Sequence, residues 1–557
     1  MKIYMRVLII TEKCHPNSDQ RDGGARVIDT LKHFLKGVCD IMQFGGTKEG
    51  CAKYYYNYPD CQENRFERRL SNREFIGQKV QEISNDYSHL IFIHISMQFG
   101  LEVFPVEKGT VVWTFPMFLT PSYRASGETI PKEYFEAEKL ALTFSHAILT
   151  PSLFEKRQIH DVYGIDEEKI FMVPRGIDAS LISRNTRKLS STFLFCSVGS
   201  IKPQKNTLEL VNLFAAVQKR FPSALLRLIG PVQDHQYAME VLRRIKQLTL
   251  EQQVEFSGFV EPKGLVKALS DCHFHLSASW CETFGRSIFE TLALGIPNIA
   301  FQGDHAAQDF LSERPYMAFV DNKEDAVSKI EEMIESYEEL SVMAEEIGEL
   351  YCDDFLGRLL TATLFSDEIL GVCDFDGTLF HKNDEDKTYR SLSAFRRFPV
   401  RVICSARPLS SLLLAIKSYD LEVDWVIAHS GALVADGSGN VKWETPLTKR
   451  DLMYLEQKTG CIFAKDQKML QVALPKDKAP DIPFLRKEMY QEMAYFNHWK
   501  ASKLNALCQL LKEIDWKGRV AVYGDGIYDR EMITYFDGRW INPQPSLMGQ
   551  QKELNYV

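Results

Sequence analysis

The feature that most constrains this chain is an alternation. The runs RVLII, HLIFIHI, TVVWTF and HAILT have the length and composition of strands, and ARVIDTLKHFLKG and PKEYFEAEKLALTF between them have the character of helices. Strands that alternate with helices cannot be joined by tight hairpins; they form a parallel sheet with helices packed on it. A second set, FLFCSVGS, ALLRLIG, VEFSGFV, CHFHLSAS and PNIAF, begins after the polar stretch SRNTRKLSST (183–192), which reads as a linker. The helix NTLELVNLFAAVQKRF joins its first two strands. The acidic stretch EDAVSKIEEMIESYEELSVMAEEIGELY closes this half, and its apolar residues at helical spacing mark it as packed rather than solvated. A third set begins at Gly371. Since 557 residues exceed what one core can serve, the expectation is an α/β chain of three units, 1–182, 192–365 and 370–557.

Composition narrows the function classes. The net charge of −9 leaves no broad basic surface for nucleic acid or an anionic membrane. No apolar stretch approaches the roughly 20 residues of a membrane span, and MKIYMRVLIITEKCHP is a poor signal peptide because VLII is too short an apolar region. Twelve cysteines without a C-x-x-C pair fit reduced thiols in a cytoplasm. Cys272, His273 and His275 in DCHFHLS are zinc-binding types, but they alternate along an apparent strand without a second ligand pair, so they read as core.

Three segments before residue 365 carry polar chemistry. Gly23 and Gly24 in DGGARVIDTLKHFL precede a helix, where bare backbone N–H groups can approach a phosphate; a plain turn gives the same pattern. In VGSIKPQKNTLELVNLF, Lys202 and Lys205 lie in the loop before a helix opening near Asn206, a place that suits a diphosphate as well as a solvated turn. In SWCETFGRSIFETLALGIPNIA, Glu282 and Glu290 are eight apart, which places Glu282 in a loop and Glu290 roughly two turns along a helix starting near Phe284. Carboxylates at such positions accept paired hydroxyl groups.

ETFGRSIFETLALGIP resembles the Glu-x7-Glu segment of retaining family-four glycosyltransferases, PSLFEKRQI…IFMVPRGID (151–178) resembles the segment that joins their two domains, and VGSIKPQKN resembles their diphosphate loop. The resemblance covers roughly residues 1–365. It implies two facing Rossmann-like domains with a nucleotide diphosphate sugar between them, and transfer without a metal. By this likeness Glu282 touches the donor sugar, Glu290 the ribose, Lys205 and Gly24 the diphosphate. Many relatives have an arginine directly after the first loop glycine, where this chain has Ser200; Lys202 or Arg286 are the candidates to replace it. His94, ending a strand in FIHISMQFG, is a candidate sugar contact or a structural core histidine.

The tail carries a second constellation. Asp374 and Asp376 in GVCDFDGTLF end an apolar strand, as ligand-binding residues of open α/β sheets do. Asp374 is placed to attack phosphorus and Asp376 to act as acid and base. Ser405 in VRVICSARP offers a hydroxyl to a phosphate oxygen, Lys503 in KASKLNALCQLL a cation, and Asp525 and Asp529 in VAVYGDGIYDREM complete a carboxylate set that with Asp374 and Asp376 suits Mg²⁺. Thr378 and Arg407, within the first two of these segments, are candidate substrate contacts. The four segments resemble haloacid dehalogenase-type phosphatases over residues 370–557, and HSGALVADGSGNVKWETPL resembles the entry to the cap of the sugar-phosphatase branch, which implies a small cap at 432–496. Lys500 fits the motif lysine less well than Lys503 because KLNAL starts at the latter.

These resemblances imply a bifunctional enzyme that transfers a sugar to a phosphorylated acceptor and then removes the phosphate. The alternatives are a transferase with a regulatory tail, or two activities on unrelated small molecules.

Overall fold

The computed structural model describes residues 5–12, 23–46, 51–125, 127–182, 187–190, 192–464 and 467–541; part of the 183–192 linker lies outside them. The chain forms two compact units, Met1–Thr361 and Ala362–Val557.

The first unit contains two parallel sheets. One is built from β1 (Val7–Thr11), β2 (Cys39–Phe44), β3 (Tyr54–Tyr56), β4 (His89–Ile93), β5 (Val111–Phe115), β6 (Ala147–Thr150) and β7 (Ile170–Met172), in the order 3-2-1-4-5-6-7. The other is built from β8 (Leu194–Val198), β9 (Leu225–Ile229), β10 (Val254–Gly258), β11 (Phe274–Ser277), β13 (Asn298–Phe301) and β15 (Met317–Val320), in the order 10-9-8-11-13-15, while β12 (Cys281–Glu282) and β14 (Asp304–His305) pair separately. Every pairing in both sheets is parallel, so each strand is followed by a crossover and β1 and β8 are buried along most of their length. The strand order turns back beside β1 and again beside β8, and at such points loops diverge and leave a crevice.

Near the end of the first unit the chain returns to residues around the first sheet. Cys352 bridges Ile177, and Gly357, in the helix Asp353–Phe365, lies so close to the Phe34 ring that a Cβ there would meet it at 2.1 Å. The acidic stretch before it is not one helix but three, Lys323–Glu335, Tyr337–Ala344 and Glu346–Leu350, breaking at Ser336 and Glu345. Its packing is apolar through Ile330, Leu340 and Ile347, with one buried ion pair, Arg314 to Glu346 at 2.7 Å, shared by the Tyr316 hydroxyl. A lone buried carboxylate would be costly; here two donors meet the same oxygen.

In the second unit the sheet runs β20-β19-β18-β17-β16-β24-β25, from β16 (Ile369–Cys373), β17 (Val400–Cys404), β18 (Trp425–Ala428), β19 (Leu433–Asp436), β20 (Val441–Glu444), β24 (Arg519–Gly524) and β25 (Arg539–Trp540). The expected cap start at 432 is corrected here. Residues 433–444 form an antiparallel hairpin that extends the main sheet, its turn held by the Asp436 carboxylate accepting from Ser438 and Asn440 backbone N–H groups at 3.0 Å each. The cap proper is the helix Lys449–Thr459 with the sheet β21-β23-β22, made of β21 (Gln471–Pro475), β22 (Leu485–Tyr490) and β23 (Met493–His498), over its own core of Leu452, Leu455, Val472 and Phe496.

One buried group gives the first unit a pH dependence. Glu155 is 1% exposed, and neither carboxylate oxygen has a hydrogen-bond donor; burial pushes the carboxyl up to about 8, with Arg175 opposing. Between its ordinary 4.5 and about 8 the folded state holds an extra proton, so this group's contribution to stability falls as pH rises through that window and levels off above it. Glu155→Gln is expected to raise the melting temperature by roughly 2–4 °C at pH 9 and to leave it unchanged near pH 4.5, as measured by calorimetry across that range.

Candidate functional site

In the first unit the loops after β8 and β11 enclose a small polar pocket lined by Gly199, Ser200, Lys205, Thr207 and Ser277–Ser279. Gly230 packs against Gly199 of this lining: a Cβ at position 230 would meet the Gly199 carbonyl oxygen at 2.0 Å. Lys205 is the one basic lining residue, and its ammonium pairs with the Glu282 carboxylate, held in the short strand β12. Trp280 N–H donates to the Gln204 carbonyl (3.0 Å), which fixes the two loops together. The helix carrying Glu290 runs Arg286–Ala293 after a left-handed Gly285, so Glu290 lies one turn in rather than two. Glu290 is 4% exposed and accepts from Arg26 Nη1 at 2.6 Å. Arg26 belongs to the helix Gly23–Phe34 that the Gly23–Gly24 pair opens, so this bond links the two sheets' lobes.

Arg286 sits at the start of the Glu290 helix; burial, then the like charge of Arg26, holds its guanidinium down at about 9. Burial likewise lowers Arg175, whose guanidinium lies over the Phe115 ring, to about 10. Lys202 does not line the pocket; burial and then Lys205 lower its ammonium, and it also feels Arg65 and Glu128 of the other lobe. His94 directly follows β4 with φ +83, a conformation costly for a residue with a Cβ. Its Nδ1 accepts from Ser96 N–H (3.2 Å), leaving Nε2 toward the Tyr123 hydroxyl at 3.4 Å. Beyond it, Glu12 is gripped by Arg69 (2.7 and 3.3 Å) and the Tyr58 hydroxyl; burial would raise its carboxyl, but Arg69 holds it at about 2. His273 and His275 are core: each accepts a backbone N–H, from Leu194 and Val198, and burial lowers His275 to about 4.

In the second unit Asp374, Asp525 and Asp529 converge, with one carboxylate oxygen of each within 4.8 Å of the others. Lys503, buried at the start of the helix Lys503–Glu513, donates to Asp374 Oδ1 (3.0 Å) and Asp529 Oδ1 (2.6 Å). Burial alone would lower its ammonium, but the two aspartates hold it charged above its ordinary value. Burial pushes Asp374 up, with Lys503 opposing, and pushes Asp525 up to about 6. Gly377, at φ +83, lets the first loop lie on Asp525, since a Cβ would meet Asp525 Oδ2 at 2.0 Å. Thr378 Oγ1 donates to Asp525 Oδ1 at 3.1 Å, and Ser405 lies buried at the end of β17. Asp376 is not gathered into the carboxylate cluster: Arg407 holds it in a fork of two 2.6 Å bonds. Lys500 lies over the Trp499 ring, 5.1 Å from its centroid.

The cap closes over this edge through β22. Arg486 pairs with Glu531 (2.9 Å), Glu488 accepts from the Ser430 hydroxyl, and Met489 N–H donates to the Tyr528 hydroxyl. Ser430 sits between His429 and Gly431 in three successive left-handed residues, with φ of 51, 57 and 98. Sequence inspection missed Glu12, Arg26, Arg69 and Glu488, all of which find their partners through packing; the acidic or basic character of each was visible but not its address.

Comparison with known proteins agrees with these two constellations. Residues 179–349 match the family model for glycosyl transferases group 1, and residues 372–460 match that for haloacid dehalogenase-like hydrolase. The chain joins a group 1 glycosyltransferase domain to a haloacid dehalogenase-like hydrolase domain. The chain is 24% identical over 397 residues to an alpha-monoglucosyldiacylglycerol synthase of Streptococcus pneumoniae, spanning 64% of this chain and 84% of that protein. It is 28% identical over 151 residues to a mannosylfructose-phosphate synthase of Agrobacterium fabrum, spanning 25% of this chain and 33% of that one. Its fold is similar to that of sucrose-phosphate synthase from Thermosynechococcus elongatus (TM-score 0.54, 15% identity, 65% of this chain and 98% of that one) and of Anabaena HepE in complex with UDP and glucose (TM-score 0.51, 14% identity, 65% and 99%).

The three gathered aspartates fit a hard divalent cation, which takes oxygen ligands and tolerates several waters beside them. Asp525→Asn is therefore expected to weaken Mg²⁺ binding by about tenfold or more, and Asp376→Asn by less than about threefold, since only the former removes a gathered ligand. Calorimetric titration of the full chain measures both.

Proposed function

We propose that the chain is a bifunctional enzyme: retaining transfer of a glycosyl unit from a nucleotide diphosphate sugar to a phosphorylated sugar or polyol, then hydrolysis of the product phosphate. The observation that carries this reading is the buried Asp374–Lys503–Asp529 set, assembled with Asp525 and Ser405 on the same chain as the Lys205–Glu282 and Glu290 site. Two of the similar proteins have names that end in phosphate synthase, and a chain of that kind with its own phosphate-removing site would complete the product. The S. pneumoniae relative is named for a lipid acceptor; under that second reading the hydrolase domain serves a separate substrate.

In the first step Glu282 accepts donor-sugar hydroxyls and Glu290 those of the ribose. Lys205 and the helix N-terminus at Arg286 stabilise the negative charge that grows on the leaving diphosphate as its bond to the sugar breaks. The acceptor hydroxyl attacks from the same face and passes its proton to the departing phosphate oxygen. In the second step Asp374 attacks phosphorus while Asp376, freed from Arg407, protonates the leaving sugar oxygen. Asp376 then takes a proton from water, whose oxygen displaces Asp374 and releases phosphate. Ser405 and Lys503 hold the phosphoryl oxygens. Mg²⁺ held by Asp374, Asp525 and Asp529 would neutralise phosphoryl charge.

Glu282→Ala is expected to lower transfer by about a hundredfold or more and to leave phosphate release from a simple phosphomonoester unchanged, with chelator abolishing only the latter. Given a nucleotide sugar and the phosphorylated acceptor, wild type should release inorganic phosphate and a free glycoside. Asp374→Asn should instead accumulate the phosphorylated glycoside, visible by mass spectrometry. A wild-type enzyme that hydrolyses other monoesters but leaves that product intact would sink the sequential scheme and favour the second reading.

A further inference from the structure

The donor pocket is short of positive charge. Its one basic lining residue, Lys205, is already paired with Glu282, Lys202 is not among its lining residues, and Ser200 brings no charge. A diphosphate that must leave with its charge neutralised needs more than one half-compensated ammonium. The nearest additional cations stand together beside Glu290: Arg286 on the same helix, and Arg26 from the opposite lobe.

We infer that Arg26 is the second cation of the diphosphate site, resting on Glu290 in this structure and moving to the phosphates when the ribose takes Glu290. The inference rests on the donor reading above. Two neighbouring ribose hydroxyls engage a carboxylate most fully when both oxygens are available, and Arg26 occupies Oε1 at 2.6 Å. Ribose and guanidinium therefore compete for one group. Arg26 lies within a turn of Gly23 and Gly24, at the positive end of its helix, and a guanidinium matches phosphate oxygens two at a time. Its side chain is 23% exposed, so leaving Glu290 does not tear it from a packed core. Charge that a single loop supplies elsewhere would here arrive from across the cleft, and only with the two lobes together.

The test is calorimetric binding of UDP, GDP and ADP, each beside its bare nucleoside, to the full chain. For whichever diphosphate binds wild type, Arg26→Gln should weaken it by about tenfold or more, as loss of a charged hydrogen-bonding partner does, while the matching nucleoside binds equally well or more tightly because Glu290 is freed. Arg26→Lys, which keeps the charge, should fall between and also serves if the glutamine variant does not fold. Diphosphate binding that is unchanged or tighter in Arg26→Gln would overturn the inference, leaving Arg26 a mere occluder of Glu290. Equal weakening of diphosphate and nucleoside would overturn it too, in favour of a structural role. If wild type binds none of the three diphosphates, the donor reading itself falls and this inference with it.

Discussion

Parallel pairing decides where this chain can do chemistry. In each sheet of the first unit, and in β16, β17, β18 and β24 of the second, strands run the same way, so their carboxyl ends line one edge. The crossovers bury both faces and leave that edge as the place where loops from distant segments meet. Asp374 follows β16, Ser405 follows β17 and Asp525 follows β24, which brings residues up to 151 positions apart in sequence (374 to 525) into one constellation. The Glu282 and Lys205 loops obey the same rule after β11 and β8.

That rule also explains what could be read without coordinates. Asp374, Ser405, Lys503 and Asp525 each sit immediately beside the end or start of an element whose apolar pattern is local, so strand and helix periodicity locates them. Glu290 was legible as a helical carboxylate, but the left-handed Gly285 delays the helix, and its depth shifts by a turn. The stretch that forms the hairpin β19–β20 was legible only as a likeness to a cap entry, and nothing local says that it continues the main sheet; that is decided by pairing with β18. The partners Arg26–Glu290, Arg69–Glu12 and Glu488–Ser430 are 264, 57 and 58 residues apart, and periodicity carries no information about such meetings.

Both sites manage charge by sharing. Lys503 serves two buried aspartates that would otherwise repel, and removing it would leave two uncompensated buried carboxylates rather than one broken contact. Arg407 does the converse for Asp376, one cation holding one carboxylate through both of its oxygens. In the first unit, by contrast, neither Glu155 carboxylate oxygen has a donor, and burial favours its protonated, uncharged form.

The strand β22 has a mechanical corollary. Its Arg486 and Met489 are fastened to Glu531 and Tyr528, and these two residues bracket Asp529, which itself accepts backbone N–H groups from Asp525 and Gly526 at 3.2 and 3.1 Å. The cap is thus hitched to the very segment that carries Asp525 and Asp529. It cannot swing up without pulling on that segment or letting go of it, so access to the cleft and the spacing of the gathered carboxylates work as one lever.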